Sequence, residues 1–184
     1  MLSFKLLFAN ASLSVSNLNA TAVYGQTSFK VSNNTGNPSN STSSPNGLAV
    51  GSDGSLFITD SANNRILLFP PIPPTDTFYT PPLDVIGQST FSDSLAGSSL
   101  SALSDPRLLA YDAKYNSLWA ADLGNNRVLR YPNIVLASTV NGSGVQVSFP
   151  SRSPDVVLSP YGNLPNLEIG IEYFLLAILQ THSR

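Results

Sequence analysis

Ser55-Leu-Phe-Ile-Thr-Asp60-Ser-Ala-Asn63-Asn64-Arg65-Ile-Leu-Leu-Phe69-Pro70 returns 62 positions later as Ser117-Leu-Trp-Ala-Ala-Asp122-Leu-Gly-Asn125-Asn126-Arg127-Val-Leu-Arg-Tyr131-Pro132. The polar members Asp, Asn-Asn and Arg keep their mutual spacing, and the apolar positions around them stay apolar. Self-similarity at a fixed period marks solenoids, propellers and other arrays of one supersecondary unit. Residues that recur in every unit are expected to build the unit.

The repeat extends outward from this block. Asp84-Val-Ile-Gly87-Gln88-Ser-Thr-Phe91 answers Ala22-Val-Tyr-Gly25-Gln26-Thr-Ser-Phe29, and Pro45-Asn-Gly-Leu-Ala-Val50 is answered by Pro106-Arg-Leu-Leu-Ala-Tyr111. The second match is one residue out of step, and the slip falls in a turn, where Asp53-Gly54 is replaced by the longer Ala113-Lys-Tyr-Asn116. Turns absorb such indels at little cost. Each unit holds four short apolar runs, in the first Leu48–Val50, Leu56–Thr59, Ile66–Phe69 and Leu83–Ile86, divided by Gly, Pro, Asn, Asp or Ser. Their length and β-branched or aromatic content predict strands, and Asp53-Gly54 between two of them predicts a hairpin. Four antiparallel strands per unit is the make-up of one propeller blade.

The pattern Pro-x-Gly-Leu-Ala-Val, Asp-Gly-x-Leu-Phe-Ile-x-Asp-x-x-Asn-Asn-Arg-Ile-x-x-Phe resembles the NHL repeat, which folds as a β-propeller blade. The second copy is similar from Leu118 to Tyr131 and weaker before that. The resemblance implies an all-β fold of incomplete propeller blades. Strands a to d are expected near 47–51, 55–60, 65–69 and 83–88, then near 107–111, 117–122, 127–131 and 134–140. Lys5-Leu-Leu-Phe8 is similar to Ile66–Phe69, so 1–29 reads as a partial blade holding strands c and d. The first full blade is then 30–91 and the second 92–149. Pro154 to Leu164 looks like a further blade opening in which the Asp…Asn-Asn-Arg block never follows, so 150–184 reads as a degenerate partial blade with an unmatched tail. Glu168 to Leu179 is a candidate short helix. All of this forms a single partial propeller over 1–184, expected to be a fragment, a truncated gene product without function, or a protomer that closes the ring by self-association or with further blades.

Composition narrows the chemistry. The chain has 184 residues, 42% hydrophobic and only 11% charged, with formal net charge −2. No basic cluster is present, so no nucleic-acid partner is expected. Cysteine is absent and His182 is the single histidine, which removes thiol catalysis, Cys-ligated zinc and any His-rich metal centre. No cofactor or metal is expected. No apolar run reaches the roughly 20 residues of a membrane span. Residues 1–10 read either as a short signal-peptide core or as a strand. Sequons at Asn10, Asn19, Asn33, Asn40 and Asn141 permit glycosylation and an extracellular or cell-surface location, but a chain so rich in Ser, Thr and Asn meets this pattern by chance.

Two readings stand for the recurring residues. Asp60 and Asp122 can accept N–H bonds from the turn that follows, and Arg65 and Arg127 can pair with them across the hairpin. Asn63-Asn64 and Asn125-Asn126 suit a turn needing positive φ. Gly25 and Gly87 permit a close approach or a bulge, and Gln26 and Gln88 can satisfy a buried carbonyl. Trp119, in the slot of Phe57, is expected in the blade core. The alternative is a ligand-binding rosette of Asp and Arg around a central channel. The structural reading is preferred, which assigns no catalytic residue and moves function to the loops that differ between copies, including the proline-rich stretch 70–82 and the Ser/Asn-rich stretch 32–44. The NHL resemblance implies a non-enzymatic platform for a protein or small ligand. The alternative is the remnant of a six-bladed propeller enzyme of metal-dependent lyase or hydrolase type.

Overall fold

Asp53 shapes the first hairpin. Its carboxylate accepts the Ser55 N–H at 2.9 Å and the Ser55 hydroxyl at 2.7 Å. Gly54 adopts φ +86, and its N–H closes the turn onto the Gly51 carbonyl at 3.0 Å. The turn joins β1 (Pro45–Val50) to β2 (Leu56–Asp60). A single 3-10 turn, Ser61–Asn63, then leads into β3 (Arg65–Phe69), and β4 (Asp84–Ile86) completes an antiparallel sheet of order β1-β2-β3-β4. The computed structural model describes residues 22–26, 29–30, 41–71, 80–134, 137–141, 144–148 and 152–159.

The second unit repeats the plan with β5 (Pro106–Asp112), β6 (Ser117–Asp122) and β7 (Arg127–Pro132). Both units are bulged at the same place, between Pro45 and Leu48 and between Pro106 and Leu109. The first three strands of each unit lie where the repeat predicted them. The fourth strand of the second sheet does not. Residues Ala137–Asn141 (β8) pair with Gly144–Ser148 (β9) in a separate hairpin, and the outer place is taken by Val156–Leu158 (β10), giving β10-β7-β6-β5. The segment read as the opening of a further blade thus supplies this strand. The reason is an insertion: Asp84 pairs with Leu68 and Val156 with Arg130, so the fourth strands lie 72 positions apart (84 to 156) while the third strands keep the 62-residue offset (68 to 130). The candidate helix at 168–179, the strand at Lys5–Phe8 and four of the five sequons lie outside the described residues; Asn141 ends β8.

Alternation along the strands gives each sheet two buried faces, as stacked blades require. Ala49, Phe57, Ile66, Leu68 and Ile86 share one core with Leu118, Ala120, Leu129 and Tyr131 of the second sheet, closed by Leu103 and Ile134. The opposite face of the first sheet, with Leu56, Ile58, Leu67, Phe69 and Val85, packs against Tyr24 and Phe91. Trp119 does not reproduce the burial of Phe57. Phe57 is fully buried in the core between the sheets, whereas Trp119 is half-buried on the far face of the second sheet, with the Arg130 guanidinium 5.7 Å from its ring.

Tyr131 carries a pH signature. Its burial pushes the phenol well above the usual value of 10.0, so the folded chain holds a proton that the unfolded chain releases. Its contribution is complete below about pH 10 and is lost as pH rises through the folded value. Thermal melts should therefore show Tm falling above about pH 10, with a shallower fall in Tyr131→Phe. Equal slopes in the two proteins would exclude Tyr131 as the source.

Candidate functional site

Asp60 sits at the end of β2 and is fully buried, as is Arg65 at the start of β3. The Arg65 Nε donates to Asp60 Oδ2 at 2.7 Å, and the Asn63 amide reaches the same carboxylate at 2.9 Å. Asp60 Oδ1 accepts the Ser43 N–H at 2.5 Å. The rest of the guanidinium donates to the carbonyls of Ser41, at 3.1 Å, and Phe91. The second copy has the same construction. Asp122 takes Arg127 Nε at 2.7 Å, Asn125 Nδ2 at 2.8 Å and the Ser104 N–H at 2.7 Å. Arg127 then donates to the carbonyls of Ser98, Ser99 and Ala102 at 2.7–2.8 Å.

The backbone donors differ from the expected ones. The carboxylates collect N–H groups from Ser43 and Ser104, ahead of β1 and β5, and the following turn contributes an asparagine amide instead. Three parts of each blade therefore meet on one carboxylate: the approach to its first strand, the turn after its second strand, and the start of its third. The paired asparagines divide the work. Asn63 and Asn125 bond to the aspartate, while Asn64 (φ 52, ψ 44) and Asn126 (φ 51, ψ 46) take the left-handed conformation that ends the 3-10 turn. Asparagine tolerates that region better than other side chains with a Cβ.

Gly87 and Gln88 join this network. Gly87 has φ +93, and a Cβ there would stand 2.6 Å from Leu103 Cδ1. Gln88 donates to the carbonyls of Asn64 at 3.0 Å and Leu95 at 2.9 Å. Gly25 has φ +75, and its carbonyl accepts the Thr42 N–H at 3.0 Å, while Gln26 is half-buried beside it.

These bonds converge on the segment 89–105, which links the two sheets. Asn64 Nδ2 holds the Ser94 carbonyl at 3.0 Å, Asn125 Nδ2 holds the Gly97 carbonyl at 2.8 Å, and Arg127 holds three more carbonyls. The Asp105 N–H bonds to Asn64 Oδ1 at 2.9 Å. Against this fixed backbone, Leu95 is 82% and Leu100 53% exposed. Sequence reasoning missed the segment because its anchors are backbone carbonyls, which carry no side-chain signal; the departure of the two copies from one another between Phe91 and Pro106 was the available clue. Among the described residues, no group of three or more His, Asp or Glu side chains is arranged to hold a metal ion, and no helix is long and apolar enough to cross a membrane.

No curated protein matches the chain significantly. Residues 42–69 match the family model of the NHL repeat, a stretch that contains β1 to β3 and the side chains of Asp60, Asn63 and Arg65. The four-stranded sheet built on that stretch, and the repetition of its first three strands at 106–132, give an all-β fold of incomplete propeller blades in which one unit matches the NHL repeat.

Proposed function

We propose that this propeller-type module is a non-enzymatic interaction module that binds a protein partner through the segment 89–105. The observation that carries the reading is the contrast between Leu95, 82% exposed, and the backbone beneath it, held by side chains of both blades. A loop fixed before binding loses little conformational entropy on association, and solvent-facing leucines supply apolar contact area. The Asp60 and Asp122 clusters serve this loop as its foundation: their charges are buried and spent on each other and on carbonyls, so they act as positioning residues.

Leu95→Asp with Leu100→Asp tests the proposal, since both side chains lie outside the core and their loss should change stability by no more than about 0.5 kcal/mol. Cross-linked capture followed by reconstitution with the purified partner should show binding to the unaltered chain and at least tenfold weaker binding to the double variant. Equal binding by the two would move the site elsewhere. Turnover of lactones or amidated glycine derivatives on addition of divalent cations would overturn the non-enzymatic reading.

A further inference from the structure

Asparagine followed by glycine is prone to spontaneous deamidation, because glycine has no side chain to hinder attack by its own nitrogen. The chain holds two such dipeptides, Asn46-Gly47 and Asn141-Gly142. In the reaction the glycine nitrogen loses its proton and bonds to the asparagine Cγ, the Cγ–Nδ2 bond breaks, and ammonia leaves with the proton. Water then opens the cyclic imide. Cleavage at the side-chain carbonyl leaves aspartate, and cleavage at the main-chain carbonyl leaves isoaspartate, whose backbone runs through Cβ and Cγ and is one carbon longer. One water enters, one ammonia leaves, and nothing is oxidised or reduced.

Asn46 is exposed on β1, yet both reacting groups are held. Gly47 is buried, and its N–H donates to Thr59 Oγ1 at 2.6 Å. Thr59 is fully buried on β2, with its hydroxyl oxygen 3.4 Å from the Gly47 carbonyl and 3.3 Å from the Arg107 carbonyl of the second blade. The Asn46 amide donates to Ser61 Oγ at 3.0 Å and to the Ser44 carbonyl at 3.3 Å. Ser61 Oγ donates in turn to the Pro106 carbonyl at 2.5 Å. Two hydroxyls of the first blade therefore hold the attacking nitrogen and the attacked carboxamide, and both hydroxyls also bond to carbonyls of β5. The strand has no slack to take up a longer backbone: a Cβ on Gly47 would stand 3.1 Å from the Leu108 Cα and closer still to the Arg107 carbonyl oxygen.

We infer that Asn46-Gly47 is a latent modification site gated by the contact between the blades. It stays asparagine while β1 lies against β5 and is hydrolysed to isoaspartate once they part. The product cannot return to the seam, because it lacks the amide that bonds to Ser61 and its lengthened backbone no longer fits beside Arg107. A transient opening of the two sheets thereby becomes permanent. The inference concerns β1 and β5 and is independent of the loop 89–105.

Incubation of the intact chain at mildly alkaline pH, with peptide mapping of isoaspartate at residues 46 and 141, tests it. Conversion at residue 46 should be at least roughly tenfold slower in the folded chain than in urea, as for any group reached only through local opening. Thr59→Val removes the acceptor of the Gly47 N–H; in a chain that still melts cooperatively it should raise the rate at residue 46 severalfold and leave the rate at residue 141 unchanged. The inference is overturned if the folded unaltered chain converts residue 46 as fast as in urea. It is equally overturned if folded Thr59→Val leaves that rate where it was, or raises the rates at residues 46 and 141 alike. Should Thr59→Val fail to fold, Ser61→Ala, which releases the Asn46 amide, is judged by the same outcomes.

Discussion

Arg65→Ala is expected to destabilise the chain by about 3–5 kcal/mol, the range for removing one partner of a buried ion pair. Asp60 and Arg65 are both fully buried. Without the guanidinium, the Asp60 carboxylate keeps Ser43 and Asn63 as its donors among the described residues, and the carbonyls of Ser41 and Phe91 lose the Arg65 N–H groups. Each buried group left unpaired adds about 1–3 kcal/mol. A loss of this size approaches the whole stability of a small domain, so urea titration should show the transition moved to much lower denaturant or no folded baseline at all. Arg127→Ala should cost somewhat less, because Arg127 retains slight solvent access and water can replace part of its bonding. Lysine at position 65 would keep the charge but not the fork that spans a carboxylate and two carbonyls, so Arg65→Lys should recover only part of the loss. A shift below about 1 kcal/mol for Arg65→Ala would show that the cluster does not hold the blade.

Gly47→Leu ranks second, at about 3 kcal/mol, the upper part of the usual range for overpacking. The obstacle is backbone, not a side chain that could swing away: the Arg107 carbonyl and the Leu108 Cα face the position of the new Cβ. Relief requires β1 and β5 to separate, which weakens the Thr59 and Ser61 hydrogen bonds and opens the core around Phe57 and Leu118. Denaturant unfolding should lose its single cooperative step, with the single tryptophan, Trp119, reporting the second blade apart from the first. Leu108→Gly should leave the contact between the blades intact, because Leu108 faces away from it. Equal losses from the two substitutions would contradict the asymmetry between the blade faces.

Much of this fold was legible in the chain. The repeat placed seven strands, both hairpin turns and the Asp–Arg pairs, because those depend on local patterning and on side chains that recur in step. The offset failed at the fourth strand of the second blade, where the longer connection carrying β8 and β9 moved the true partner, β10, to a later segment. Nothing local distinguishes three residues that pair with a third strand from three that open a new sheet. The aspartates were correctly matched to Arg65 and Arg127, but their backbone donors were sought in the adjoining turn. Ser43 and Ser104 are 17 and 18 positions away and reach the carboxylates only through the closure of each blade.

The sequence by itself determined the repeating unit, its antiparallel strands and the residues that fasten each hairpin, since periodicity, turn chemistry and charge pairing are properties of neighbours along the chain. Tertiary structure decided what each conserved-looking slot became. Phe57 and Trp119 share a position in the repeat, yet one is sealed between two sheets and the other lies under Arg130 on a face turned away. Gly47 and Leu108 differ in sequence, but only the approach of the Arg107 carbonyl makes the first a position where no side chain fits, while the second turns its side chain to the other face of its sheet. Burial and close approach depend on what lies across the contact, and a repeat read along one chain does not contain that information.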